Sequence, residues 1–252
     1  MNIIEVRNLV KTFENNSIKT TVLKGISFDM AEGEFVAVMG QSGSGKSTLL
    51  YNISGMDQMS SGQVTIDQVD LAGKSDDQLA ELRLNMMGFI FQNNYLLKNL
   101  SLFDNICLPG FKAKNDSREV VEERAQQLMK RLNIEDVKDS AIHQVSGGQL
   151  QRAAICRSLI NQPRILFADE PTGSLNSRNA EEVMSIFNQL NREGMSILIV
   201  THDPKIASVT DRIIYLKDGQ IEAQLELGKL TESDNPRLRE EKTLHWLIQR
   251  GF

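Results

Sequence analysis

The sequence predicts an α/β fold: a core with a mainly parallel sheet, an antiparallel β subdomain at its start and an inserted helical subdomain. Three observations predict it. Compact apolar runs at Glu34 to Met39, Ile165 to Ala168 and Ser196 to Val200 alternate with helical stretches, and each run stops at a residue that can do chemistry. The opening section carries short strand-like runs and turns. The middle, roughly 95 to 160, carries no strongly β-like run and contains a charged amphipathic helix.

The elements follow in order. Ile3 to Val6 and Ser27 to Met30 read as short strands. Glu34 to Met39 is a buried strand ending at Gly40, and Lys46 to Ser54 is a helix with Leu49, Leu50 and Ile53 on its apolar face. Gln63 to Ile66 returns as a strand, and Asp76 to Met86 has helical character. Arg118 to Leu132 is the amphipathic helix, with Val121, Ala125, Leu128 and Leu132 at helical spacing. Ile165 to Ala168, Asn179 to Leu190 and Ser196 to Val200 give strand, helix and strand. Ile213 to Leu216 and Gln220 to Glu222 close a hairpin around Asp218-Gly219. From Thr231 the tail is polar, and Leu244, Leu247, Ile248 and Phe252 suggest a short amphipathic helix with a packing role. The expected organisation is one domain: 1–92 and 161–230 form the core with its β subdomain, 93–160 the helical subdomain and 231–252 a tail.

Composition narrows the function. The chain has 252 residues, enough to bury a sizeable core. A net charge of −5 gives no bulk attraction to nucleic acid, so no nucleic-acid partner is expected. Cys107 and Cys156 form no metal-binding or disulfide pattern and read as reduced, buried thiols. The charged start lacks the apolar stretch of a signal peptide, and no run approaches the ~18 apolar residues of a membrane span. A cytoplasmic chain is expected, with any membrane role exerted through a partner.

The chemistry sits at the ends of the strands. Gly40-Gln41-Ser42-Gly43-Ser44-Gly45-Lys46-Ser47 is a full P-loop pattern between a strand and a helix. Its glycines let backbone N–H groups converge on phosphate oxygens, and the helix adds its positive end. Lys46 supplies a point charge for the β- and γ-phosphates, and the Ser47 hydroxyl is a Mg²⁺ ligand. Asp169, ending a buried strand, suits Mg²⁺ through water, and Glu170 suits orienting or deprotonating the attacking water. His202 is a candidate for the γ-phosphate. Gln92, after Gly88-Phe89-Ile90-Phe91, is a candidate amide ligand to Mg²⁺ or water. Ser146-Gly147-Gly148-Gln149 opens a helix. Alone it reads as a simple N-cap. In a chain that already has a P-loop, it also reads as a second phosphate cradle, serving the ATP of another subunit.

Taken together, these motifs resemble the nucleotide-binding subunits of ABC transporters over nearly the whole chain. Walker A is Gly40 to Ser47 with Thr48, the Q-loop is Gln92, and the signature is Ser146 to Gln149 followed by Leu150-Gln151-Arg152. Walker B is Ile165 to Asp169 with Glu170, and the switch histidine is His202. The resemblance assigns adenine stacking to Phe13. Two positions depart from the family pattern: Val145 where leucine is usual, and Asn176 in the D-loop where aspartate is usual. The strings Phe89-Ile90-Phe91-Gln92 and Asp169-Glu170-Pro171-Thr172-Gly173-Ser174-Leu175 are similar to the bacterial branch with lipoprotein-release and macrolide-exporter ATPases. Asn105-Ile106-Cys107-Leu108-Pro109 and Thr201-His202-Asp203-Pro204 are most similar to bacitracin- and lantibiotic-resistance ATPases.

The resemblance implies ATP and Mg²⁺ as cofactors, a homodimer through shared ATP sites, and an FtsX-like membrane permease as partner. It places the chain at the inner face of the cell membrane. Transport in antimicrobial-peptide resistance is the first expectation, and a signalling ATPase driving a membrane sensor without transport is the second. Asn93 to Pro109, with Tyr95, Leu96, Leu97, Leu102 and Phe103, is the expected permease-docking surface or else helical-subdomain core.

Overall fold

The computed structural model describes residues 1–15, 18–231 and 233–252. Its elements in chain order are β1 (Asn2–Asn15), β2 (Ile18–Ala31), β3 (Phe35–Met39), α1 (Lys46–Ile53), β4 (Ser61–Ile66), β5 (Val69–Asp70), α2 (Asp76–Met86), β6 (Met87–Phe91), α3 (Leu102–Ala113), α4 (Arg118–Arg131), α5 (Gly147–Leu159), β7 (Ile165–Asp169), α6 (Ser177–Arg192), β8 (Ser196–Val200), α7 (Pro204–Ser208), β9 (Arg212–Lys217), β10 (Gln220–Glu226) and α8 (Pro236–Ile248). They gather into two compact units, residues 1–75 with 191–252 and residues 76–190. Among the described residues, no helix is long and apolar enough to cross a membrane.

The first unit holds an antiparallel sheet in the order β2-β1-β4-β5 and a run of strands β10-β9-β3-β8. β3 lies parallel to both β8 and β9, and all five of its side chains are buried. A strand covered on both faces needs the continuous apolar run that the sequence shows there. β1 and β2 reach 14 residues each, far longer than the short strands expected. The early half of β2 is exposed, so it has no core face to write into the sequence as alternation. β1 also slips register between Val6 and Leu9, where Asn8 takes a φ of 49°. A Cβ on Gly62, in β4, would lie 2.5 Å from the Asn8 carbonyl oxygen, so only glycine passes this bulge.

One buried arginine links the two sheets of this unit. Arg212, at the start of β9, donates from Nε to Glu34 Oε1 at 2.7 Å and from Nη2 to Glu34 Oε2 at 3.0 Å. A further bond runs from Nη2 to the Asp29 carbonyl of β2 at 2.6 Å. Both side chains are nearly buried. Arg212→Met would strand the Glu34 carboxylate, so urea unfolding should show a loss of about 3 kcal/mol. Arg212→Met combined with Glu34→Gln should recover much of it.

The second unit pairs β6 with β7 in parallel and surrounds them with helices. A Cβ on Gly88, in β6, would lie 2.6 Å from the Ser158 carbonyl, so α5 packs backbone to backbone on that strand. Ser101 caps α3 and Ser117 caps α4 through their side chains. On α4 the buried face runs through Val121, Ala125 and Met129, so Met129 takes the place expected for Leu128. Cys107 and Cys156 are both free and buried. Burial pushes the Cys107 thiol up to about 12, and it raises Cys156 as well. Neither forms thiolate at pH 8. A chromogenic disulfide reagent should therefore label neither cysteine in the native protein and both in denaturant.

Candidate nucleotide site

The first half of the site grows from β3. Gly40 ends this strand, and a Cβ there would lie 2.1 Å from the Leu216 carbonyl oxygen and 2.7 Å from Ser44 Oγ. No side chain fits. Gly43 and Gly45 take φ values of 78° and 101°, a left-handed backbone that glycine adopts without strain. Gly45 is the N-cap of α1 and makes no side-chain cap, and the first turn holds no acidic residue. The positive end of the helix is thus left for an anion. Lys46 Nζ folds over the loop and donates to the Gly40 and Gln41 carbonyls, both at 2.9 Å. Ser44 Oγ is buried and makes no hydrogen bond. Gln41 and Ser42 are exposed, and Ser47 and Thr48 lie half-buried in the first turn. A loop with a cation, an uncapped helix end and a buried hydroxyl without a partner fits a phosphate chain.

His202 comes to the same edge. β8 is in register with β3, Val200 opposite Val38, and Thr201 N donates to the Val38 carbonyl at 3.2 Å. Gly40 and His202 each lie two residues beyond that pair, and His202 is exposed. Phe13 lies on β1 opposite Thr20 of β2, with its ring 45% exposed.

The other unit holds its own group of expected site residues, at the ends of β6 and β7. Phe91 pairs with Asp169, so Gln92 and Glu170 leave neighbouring strands side by side. Asp169 is buried, and Gln92 is exposed. Glu170 has a φ of 47°, a strained backbone for a residue with a side chain, held by a turn in which Gly173 N donates to the Glu170 carbonyl at 3.0 Å. Gly173 backs the Gln92 amide, where a Cβ would lie 2.9 Å from Nε2, and Ser174 Oγ donates to the Gln92 carbonyl at 3.3 Å. Asn176 Oδ1 accepts from Asn179 N at 2.9 Å and caps α6.

α5 begins with a capping box. Ser146 Oγ accepts from Gln149 N at 3.3 Å, and Gln149 Oε1 accepts from Ser146 N at 2.9 Å. Ser146 and Gly147 are exposed, whereas Gly148 is buried against Asn179, 2.8 Å from where its Cβ would be. Arg152 pairs with Glu182 of α6 at 2.6 Å. Arg157 donates to the Asn94 and Tyr95 carbonyls at 2.6 and 2.7 Å, and burial lowers its pKa. Of the residues expected to dock a permease, Tyr95 is 66% exposed and Leu97 is also exposed. Leu102 is fully buried and is core, as the first apolar residue after the α3 cap; Leu96 and Phe103 are half-buried.

Ser47 in the first unit offers a hydroxyl, and Gln92 and Asp169 in the second offer an amide and a carboxylate. These hard oxygen donors suit Mg²⁺, which keeps water and substrate phosphate in its shell. No cluster of three or more His, Cys, Asp or Glu occurs among the described residues, so the protein offers no closed cage of its own.

Two features of the tail carried no sequence signal. Gln41 Nε2 donates to the Gly251 carbonyl at 2.7 Å, so the residues just beyond α8 touch the P-loop. The buried face of α8 is Arg239, Thr243 and Leu247, whereas Leu244 and Ile248 are exposed. Arg239 explains this: its guanidinium donates to the Ser208, Thr210, Leu227 and Gly228 carbonyls and turns that face inward.

The ABC transporter family model matches residues 23–173, more than half of the chain. This chain belongs to the ABC transporter family. It is an ATP-binding cassette and an ATPase. It is 40% identical to the macrolide export ATP-binding/permease protein MacB of Syntrophobacter fumaroxidans over all of this chain and 36% of that protein. It is 41% identical to the bacitracin export ATP-binding protein BceA of Halalkalibacterium halodurans, over 90% of each chain. A solved ATP-binding cassette, dimeric and bound to ADP and Pi in a post-hydrolysis state, superposes with a TM-score of 0.83 at 37% identity. That match covers 90% of this chain and 100% of the other.

The cap on α6 makes a direct prediction about the unusual D-loop residue. Asparagine and aspartate cap helices equally well, so Asn176→Asp should leave thermal stability nearly unchanged, whereas Asn176→Ala should lose about 1 kcal/mol in a denaturation experiment.

Proposed function

We propose that this chain is the energising subunit of a bacterial exporter and that it works as a head-to-tail homodimer. Each ATP lies between Gly40–Thr48 of one copy and Ser146–Gln149 of the other. The observation that carries this reading is the exposed start of α5. Ser146 and Gly147 present a helix N-terminus with no acidic residue in its first turn, in a chain whose own phosphate loop is elsewhere. That a similar cassette with ADP and Pi is dimeric supports a working unit of two copies.

In this reading the site residues take the following roles. Lys46 and the backbone N–H groups of the loop hold the β- and γ-phosphates, with Thr48 in the same first helical turn. Phe13 receives the adenine base on its exposed face. Ser47, Asp169 and Gln92 would hold Mg²⁺, which would neutralise charge on the phosphates. Glu170 accepts a proton from the attacking water as the bond from the γ-phosphorus to the β-γ bridging oxygen breaks, giving ADP and Pi. His202 contacts the γ-phosphate. The register places Glu170 directly after β7, level with Gln92 after β6, on a strained backbone. Closure of the dimer by ATP and reopening after hydrolysis is a population shift that does mechanical work on a partner.

That partner is an FtsX-like permease, docked on exposed Tyr95, Leu97 and Leu108. The cassette is then cytoplasmic and peripheral on the membrane, with 1–92 and 161–230 as core, 93–160 as helical subdomain and 231–252 as tail. The match to the bacitracin export protein along nine-tenths of both chains favours an antimicrobial peptide as cargo.

Glu170→Gln should bind ATP with near wild-type affinity, elute as an ATP-dependent dimer in gel filtration and lose turnover by ~100-fold or more. Lys46→Ala should weaken ATP binding and remain monomeric. Wild-type turnover in Glu170→Gln would remove that residue from the chemistry. Vesicles holding the cassette with its co-purified permease should move a labelled peptide antibiotic on adding ATP; ATP turnover without movement would favour a sensor-driving ATPase.

A further inference from the structure

Lys11 lies on β1 two residues before Phe13, and it is only 8% exposed. Its ammonium is 2.6 Å from Asp57 Oδ1, 2.7 Å from the Gln58 carbonyl oxygen and 4.7 Å from the centroid of the Phe13 ring. Asp57 follows directly on the P-loop helix: its backbone N donates at 3.0 Å to the carbonyl of Tyr51, in α1. Two more bonds stitch the same strand to the same segment, Ser60 N to the Val10 carbonyl at 2.8 Å and Thr12 N to Ser60 Oγ at 2.9 Å.

A buried ammonium is costly unless it is paired and hydrogen-bonded. Here the carboxylate and the carbonyl fix it in place, and its remaining direction is the face of a half-exposed aromatic ring. A cation held there attracts the negative face of the ring and restrains it. It also draws electron density away from the opposite face, which eases offset stacking of an electron-rich purine on a ring that has no hydroxyl group to help.

We propose that Lys11 is a positioning residue for the adenine base. It grips one face of Phe13 and, through Asp57 and Gln58, ties that ring to the far end of the helix whose start holds the phosphates. The base platform and the phosphate loop are thus tied to the two ends of one helix. The inference rests on Phe13 being the base platform, as under Proposed function.

The test measures dissociation constants for ATP and for inorganic triphosphate, both with Mg²⁺, by calorimetry. Lys11→Gln keeps an amide donor for Asp57 and Gln58 but removes the cation. It should weaken ATP binding roughly 5-fold and leave triphosphate within about twofold. Lys11→Arg, which stacks and pairs as well, should stay near wild type for both. Lys11→Met with Asp57→Asn removes the charge without stranding the carboxylate and should match Lys11→Gln. Equal losses for ATP and triphosphate would make Lys11 a structural strut and overturn the inference, as would unchanged ATP binding. Phe13→Ala separates the two readings. If it weakens ATP alone while the Lys11 variants do not, only the Lys11 inference fails. If Phe13→Ala leaves ATP unchanged, the base platform itself fails.

Discussion

Polyphosphate is met by backbone donors, and backbone can approach it only where side chains are absent. In this chain that constraint acts at Gly40. The strand turns away with its α-carbon so close to the Leu216 carbonyl that a methyl group would overlap it. The turn is possible because β3 is anchored on both sides by parallel partners, β8 and β9, and is buried along its length. The buried strands, the glycines and the uncapped start of α1 are one solution to a single problem. They present N–H groups in a fixed frame that water cannot disorder. Arg212 belongs to that solution, because its bond to the Asp29 carbonyl ties β9 to the antiparallel sheet that carries Phe13.

The second unit solves the complementary problem, that of aiming carboxylate and amide. Neighbouring parallel strands end together, so Gln92 and Glu170 emerge as a pair. The residues just beyond them are then used to hold them. The Gln92 amide lies against Gly173, and Ser174 bonds the Gln92 carbonyl. Asn176 closes the segment by capping α6. Cap strength depends on a side-chain oxygen at the right distance, and asparagine supplies it without a charge. The unusual D-loop residue therefore keeps its structural task.

Much of this was legible in the sequence, for a specific reason. Strands covered on both faces show as unbroken apolar runs, and in β3, β7 and β8 the run stops where the chemistry begins. The ends of strands and the motif residues were therefore read together. The half-exposed elements were not. β1 and β2 extend well beyond their apolar residues, because ladder bonds rather than burial hold their outer ends. In α8 the apolar residues Leu244 and Ile248 pointed to one face, but the buried face is set by Arg239, whose guanidinium satisfies four loop carbonyls at once. Lys11 went unread for the same reason. A lysine in a strand reads as a surface residue until the structure shows which carboxylate has paid for its burial.

The same use of arginine recurs in α5. Arg152 grips α6 through Glu182, and Arg157 grips the loop after Gln92 through the Asn94 and Tyr95 carbonyls. The loop is held from a second side by Asn105, whose amide both donates to and accepts from Leu97. Tyr95 itself sits at a φ of 47° with its ring edge-on to Phe91. The loop after Gln92 is thus strained at Tyr95, bonded through its carbonyls and braced by an aromatic contact. One helix, α5, carries the Ser146 cap at its start and holds that loop through Arg157 further along.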